Sequence, residues 1–433
     1  MLRLVAILLY MAVSALLLSA TNESTRITFY RDVLPILQRR CQNCHRTGEI
    51  GPMPLLTYRD TRPWAAAIKE VVISRKMPPW FADAGHGSFS NDRSLSPSEI
   101  RTLVTWTTSG AMEGKRSDAP PQRGFVPGWN IGKPDLIVEM PSEFTVPASG
   151  VTEYIYIVMP LNLPEDKWVQ MAEARPGNSS VVHHITAFIR NPESNWLRGE
   201  AQSGIPFIPR ATSDGRVRND TAGMGSEVLC FYVPGYDPQV FPPGSAKKVR
   251  AGSDLVLEMH YTPNGKQVRD RSKIGIIYSR EPVNHGMIMA TILAPSLLIP
   301  PGASDHQVDI SFNVKSYGML MSLYPHMHLR GKKFEFRVVY PGGKTETILH
   351  VSNYNFHWQL DYRLKNPIAL TPGMKIECTA WYDNSSNNPD NPDPRRWVHV
   401  GPMSWDEMMA GVLQVAVDPR LTLQDWSEGR PVD

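Results

Sequence analysis

From Tyr154 onward, the apolar residues of this chain recur at every second position in one segment after another. Tyr154 to Val158, Leu255 to Tyr261, Gly318 to Leu329, Lys333 to Tyr340 and Met374 to Tyr382 alternate or run apolar, and turns such as Pro341-Gly342-Gly343 part them. A period of two sends successive side chains to opposite faces of a strand, so each segment must bury one face against a second sheet. The pattern is that of antiparallel β sandwiches. Residues 134–433 are too many for one sandwich. Two in tandem are expected, 134–285 and 286–433, dividing near Pro282 to Pro295. No internal repeat is visible, and the polar run Asp383 to Pro394 is a loop, because strand-like sequence resumes after it.

The front of the chain has a different period. Ser96-Pro97-Ser98-Glu99 is a capping box with proline at the first helical position, followed by Ile100, Leu103, Val104 and Trp106 and stopped by Gly110. A second helix is expected from Arg62 to Arg75, with Trp64, Ile68, Val71 and Val72 on one side. A first helix carrying Val33, Ile36 and Leu37 leads straight into Cys41. The expected organisation is a small all-α domain over residues 21–115 and a Pro-rich linker over 116–133.

Cys41-Gln42-Asn43-Cys44-His45 is a CxxCH motif. Two thiols at this spacing can both add to haem vinyl groups, with the histidine beneath the iron, so a covalent c-type haem is expected here. A thioredoxin-like CxxC would follow a βαβ pattern, and half a zinc site would need a second CxxC; the chain has neither. A haem would also supply apolar interior that three short helices lack. The sixth ligand is expected to be Met77, in Lys76-Met77-Pro78-Pro79-Trp80, with Met53 in Gly51-Pro52-Met53-Pro54 as its rival.

Arg3, the apolar run from Leu4 to Leu18, and Ser19-Ala20 have the order of a secretory signal peptide over residues 1–20. A periplasmic or secreted protein is therefore expected, with no stable membrane insertion; an uncleaved anchor is the alternative. Lys+Arg 45 against Asp+Glu 42 gives a net charge of +3 with no long basic run, which argues against nucleic acid and anionic membrane as partners. Two cysteines remain outside the motif, Cys230 and Cys378. Export permits a disulfide between them, but buried free thiols are the preferred reading.

Five histidines and one methionine then sort into two candidate ligand sets: His183, His184 and His260, and His326, His328 and Met408. Imidazole suits copper, and a thioether favours its cuprous state. His326 and His328 are two apart on a strand and so share a face. His183 and His184 are neighbours, which reach one ion only where the strand twists or bulges. Each pattern alone has a plain alternative: a solvated strand face for His326-x-His328, core packing for Met408.

In this order the stretches Val182-His183-His184-Ile185, Glu258-Met259-His260-Tyr261, His326-Met327-His328-Leu329-Arg330-Gly331-Lys332 and Asp406-Glu407-Met408 resemble the copper type II, ascorbate-dependent monooxygenases. That family includes peptidylglycine α-hydroxylating and dopamine β-hydroxylating enzymes. The likeness spans Pro134 to Pro419, and the front segment resembles small exported bacterial c-type cytochromes. The resemblance implies two tandem β sandwiches with one copper each. His183, His184 and His260 would hold an electron-storing copper. His326, His328 and Met408 would hold the one that binds O2 and hydroxylates an activated C–H.

Departures bear on the substrate. Tyr324 stands where amidating enzymes carry a carboxylate-binding arginine, Val412 where the family has tyrosine, and Met409 where it has a cysteine partner for Cys378. The expected function is an exported haem- and copper-containing monooxygenase acting on a small organic molecule. Electrons would come from ascorbate or a redox protein through the haem. A non-catalytic electron-transfer or copper-binding protein is the alternative.

Overall fold

The computed structural model describes residues 26–125, 128–150, 152–199, 202–209, 227–233, 235–401 and 403–429; the expected signal peptide lies outside them. The described chain is mostly β-sheet with few helices, in two compact units. One unit reaches to Pro79 and resumes over Arg93–Gly124; the other holds Trp80–Asp92 and the chain from Phe125 on.

In the first unit a π-helical turn, Phe29–Val33, runs into the helix Leu34–Arg40, which ends at Cys41. Helix Pro97–Thr108 starts at the expected box. The Ser96 hydroxyl accepts from the Glu99 N–H at 3.2 Å, and the Glu99 carboxylate accepts from the Ser96 N–H at 2.8 Å. Ile68 and Val72 of helix Ala65–Ile73 are buried, but Trp64 is 44% exposed. The reason is local: Arg62–Trp64 is a 3₁₀ turn, whose tighter winding carries Trp64 off the α-helical stripe. The core is small, built on Phe29, Leu37, Leu103 and Trp106.

The second unit has two apolar cores between sheets. The first lies between a four-stranded sheet, in the order Ile155–Pro160, Asp254–Tyr261, Val182–Arg190, Glu227–Tyr232, and one half of a nine-stranded sheet. The second lies between His306–Asn313, Lys375–Tyr382, Gly331–Val339, Thr345–Val351 and the other half. The long sheet joins both sandwiches through one parallel pairing, Ser245–Val249 with His285–Leu293 (His285 opposite Ser245). Cys230 lies in the first core and Cys378 in the second, and both are thiols. A side chain at Gly411 would stand 2.5 Å from the Cys378 sulfur, so glycine makes room for it.

The segment Trp80–Asp92 straps the second sandwich. Asp83 accepts from His350 Nδ1 at 2.7 Å and from the Ser352 hydroxyl at 2.8 Å. Further along, Asn91 binds the Asp361 carbonyl at 2.8 Å and the Arg363 N–H at 3.0 Å. Trp80 and Phe89 pack on Tyr362. The strap therefore grips both ends of the loop between strands Thr345–Val351 and Tyr362–Leu370. Among the described residues, no helix is long and apolar enough to cross a membrane.

Candidate metal centres

The three-histidine set forms at a fault in strand pairing. Val182–Arg190 runs antiparallel to Asp254–Tyr261 with His184 opposite His260, and the register slips between Val182 and His184. His183 is the extra residue of this bulge, which lets two neighbours serve one point. His183 Nδ1 lies 3.4 Å from His184 Nδ1 and 3.3 Å from His260 Nδ1. A tetrahedral ion with bonds of ~2.0 Å holds its nitrogens ~3.3 Å apart, so the donor spacing fits a metal. Burial, helped by neighbouring imidazoles, lowers His183 to about 3 and His260 to about 2. Both are thus neutral at pH 7, the form that donates a lone pair. His184 Nε2 is 3.5 Å from Glu258, which also accepts from the Tyr156 hydroxyl. The Tyr154 ring packs edge-to-face with His184 and His260, at 5.2 and 4.6 Å between ring centres.

The second set forms where strand Gly318–His326 ends. The rings of His326 and His328 are 5.2 Å apart and nearly perpendicular, at 83°. His326 Nδ1 donates to Gln359 Oε1 at 2.6 Å, which frees Nε2 as the lone pair. The same oxygen accepts from the Tyr324 hydroxyl at 2.9 Å. Glu407 is fully buried and accepts backbone N–H groups from His328, Arg330 and Met408 at 2.8, 2.7 and 3.0 Å. It thereby ties the two ligand-bearing segments together. Burial pushes its carboxyl up to about 7, against the pull of those three donors. Tyr354 clamps Met327, giving its hydroxyl proton to the carbonyl at 2.7 Å and accepting the N–H at 3.0 Å.

Burial lowers His326 to about 4 and holds His328 well below the usual histidine range. His328 Nδ1 is buried without a partner in hydrogen-bond geometry, and the backbones of Asp406 and Met403 oppose the effect of burial on the ring. Two neutral imidazoles with a thioether fit cuprous copper.

Both sets reach one cavity of about 300 Å³, lined by His184, His326, His328 and Met408 among others. Its walls are largely apolar and aromatic, including Tyr154, Phe188, Phe231 and Tyr324. Among the described residues, Glu258 is the one carboxylate lining it, and no lysine or arginine does. Tyr324, which stands where amidating enzymes carry arginine, lines the cavity and is 8% exposed; its ring stacks on Phe231 at 5.4 Å and 10°. Its hydroxyl is committed to Gln359, so its first task is to hold the ligand histidine. Gln359 and Phe356 went unnoticed in the sequence. Their only trace is the dense aromatic and amide run from Tyr354 to Gln359, which no strand period explains.

In the first unit, Cys41, Cys44 and His45 share one turn, with the His45 and Cys44 N–H groups on the Cys41 carbonyl at 2.9 and 3.2 Å. Neither cysteine is in a disulfide. His45 Nδ1 meets the Met53 carbonyl at 3.1 Å, leaving Nε2 for a metal. A Cβ on Gly51 would stand 2.8 Å from the His45 ring, so glycine is needed beside it. The donor set fits a covalent haem. Met53 serves His45 through its carbonyl, and the Met77 N–H binds the Val71 carbonyl at 3.2 Å.

No curated protein matches the chain. Among solved structures, an infectious bursal disease virus Gt strain structure is 10% identical, covering 66% of this chain and 71% of that one at a TM-score of 0.18. Dimeric latent PorU from Porphyromonas gingivalis is 11% identical, covering 62% and 24% at a TM-score of 0.14. Likeness this low carries no argument about fold or function. Residues 284–410, which include His326, His328 and Met408, match the family model of the copper type II ascorbate-dependent monooxygenase C-terminal domain.

Proposed function

We propose that the chain is an exported haem- and copper-containing monooxygenase that hydroxylates an activated C–H of a small neutral or aromatic molecule. The observation that carries this reading is the convergence of His184, His326, His328 and Met408 on one aromatic-walled cavity. The family match over residues 284–410 supports copper and oxidoreductase chemistry for the second set. When bound, copper at the two sets would supply O2 activation and one electron each, with reducing equivalents from ascorbate or through a haem at Cys41, Cys44, His45 and Met77.

The protein's own part is to hold geometry and exclude water. Gln359 fixes the tautomer of His326, and Glu407 locks His328 to Met408 through backbone N–H groups. Glu258 and Tyr154 orient His184 and His260. The aromatic walls offer a face to a flat or apolar substrate. With no fixed cation among the lining residues, a carboxylate would be desolvated without a partner, which disfavours acidic substrates.

The test is oxygen uptake by copper-loaded protein with candidate aromatic substrates, read together with haem oxidation and a hydroxylated product. Copper bound at both sets without substrate-dependent oxygen uptake would instead favour an electron-transfer or copper-binding protein. Tryptic mass spectrometry should find haem on the peptide carrying Cys41 and Cys44. Met77→Ala should abolish any sulfur-to-iron charge-transfer band, and an unchanged band would move the ligand to Met53.

A further inference from the structure

Of the three histidines in the first set, His183 has the least support. His184 has Glu258, and His260 has the Tyr154 ring at 4.6 Å. Among the described residues, the ring of His183 makes hydrogen-bond contacts only with the other two ligand nitrogens. Two rings from the other sandwich lie against it: His357, nearly perpendicular at 6.4 Å between centres, and Phe356. Phe356 stacks on His183 at 5.7 Å between centres and 22° between planes. The same phenyl ring stands against His328 at 6.1 Å and 77°, presenting its edge or face to the second set.

Phe356 is itself held firmly. It is 7% exposed, and its carbonyl accepts from Gln359 Nε2 at 3.2 Å, while Oε1 of that amide holds His326. Tyr354, two residues earlier, clamps Met327. Both ends of the loop are gripped by the Trp80–Asp92 strap. One short loop therefore touches His183, His326 and His328, and one apolar ring touches a histidine of each set.

We propose that Phe356 is a positioning residue common to both metal centres: its ring sets the plane of His183 and braces His328, so that neither set keeps its geometry without it. This rests on the reading of the two sets as copper ligands. Stacking fixes a ring plane without using a nitrogen, which suits a histidine whose Nδ1 is turned toward the metal position. Loss of an outer partner of a metal-bound histidine typically weakens the site ~10–100-fold.

The experiment uses the full chain. Cu(I) affinities are measured by competition with a chelator, and Cu(II) electron paramagnetic resonance spectra are recorded for wild type, Phe356→Ala, Phe356→Leu and Phe356→Tyr. Leucine keeps apolar volume and removes the plane, so it separates stacking from packing; tyrosine keeps the plane. In Ala and Leu, affinity at the three-histidine set is expected to fall ~10-fold and both copper signals to change, with thermal unfolding still cooperative. The Tyr variant is expected to match wild type. Wild-type spectra and affinities in a folded Phe356→Leu protein would overturn the proposal while leaving the copper assignment intact. Failure of wild type to bind copper at both sets would overturn the assignment and the proposal together.

Discussion

The two candidate metal centres meet one cavity, one through His184 and the other through His326, His328 and Met408, but are built by opposite means. The set at His326, His328 and Met408 is framed by hydrogen bonds: Gln359 on His326, Glu407 on three backbone N–H groups, Tyr354 on Met327. The set at His183, His184 and His260 is framed by rings and a strand bulge, with Glu258 as its one charged support. A hydrogen-bonded frame fixes distances and tautomers and leaves little room for adjustment. A stacked frame fixes planes and tolerates small changes in bond length. On the proposed function, the second arrangement would suit a centre that holds both oxidation states of copper, and the first one that presents a single open position.

The sharpest way to break this comparison is to remove a ligand from each side. Met408→Ala should lower turnover by well over ~100-fold, since even outer partners are worth ~10–100-fold, while the copper at the three-histidine set stays reducible. Full activity in that variant would refute the monooxygenase reading as stated. His260→Ala should do the reverse in a binding titration, weakening the three-histidine set and sparing the other. Equal weakening at both would mean that the sets are not separate centres.

A finer contrast comes from the supports. Gln359→Ala leaves His326 Nδ1 without its acceptor and should weaken the second set ~10–100-fold, whereas Glu258→Gln, at 3.5 Å from its histidine, should cost less. A larger effect from Glu258 would invert the comparison. The smallest effect expected is on substrate choice. Paired acid and amide analogues should differ by about tenfold in kcat/KM in favour of the amide, because no lining cation offers a charge-assisted bond. A preference for the acid would mean that a cation enters the cavity from elsewhere.

Much of this was legible in the residues because its causes are local. The capping box at Ser96, the period of two in the strands, and the need for a bulge at His183-His184 are all short-range constraints, and the structure contains each of them. Trp64 misled because a 3₁₀ turn and an α-helix differ by a fraction of a residue per turn. Gln359, Phe356 and the strap were invisible for a different reason. Their partners lie at long range: Gln359 Oε1 meets His326, Phe356 meets His183, and Asp83 meets His350. Nothing in the pattern of one segment announces which distant segment it will touch. Tyr324 was found as a position but not as a role, since a hydroxyl turned toward a substrate and one turned toward Gln359 look alike in sequence.

The strap has a practical consequence for dissecting the chain. Trp80–Asp92 precedes the last helix of the first unit, yet its side chains complete the second sandwich. A fragment begun at Phe125 would expose Tyr362 and leave His350 and Arg363 without Asp83 and Asn91. Such a fragment should be prone to aggregate, and a synthetic peptide of residues 80–92 added in trans should rescue its solubility. A clean cut between the two units would therefore have to be made by circular rearrangement rather than by truncation.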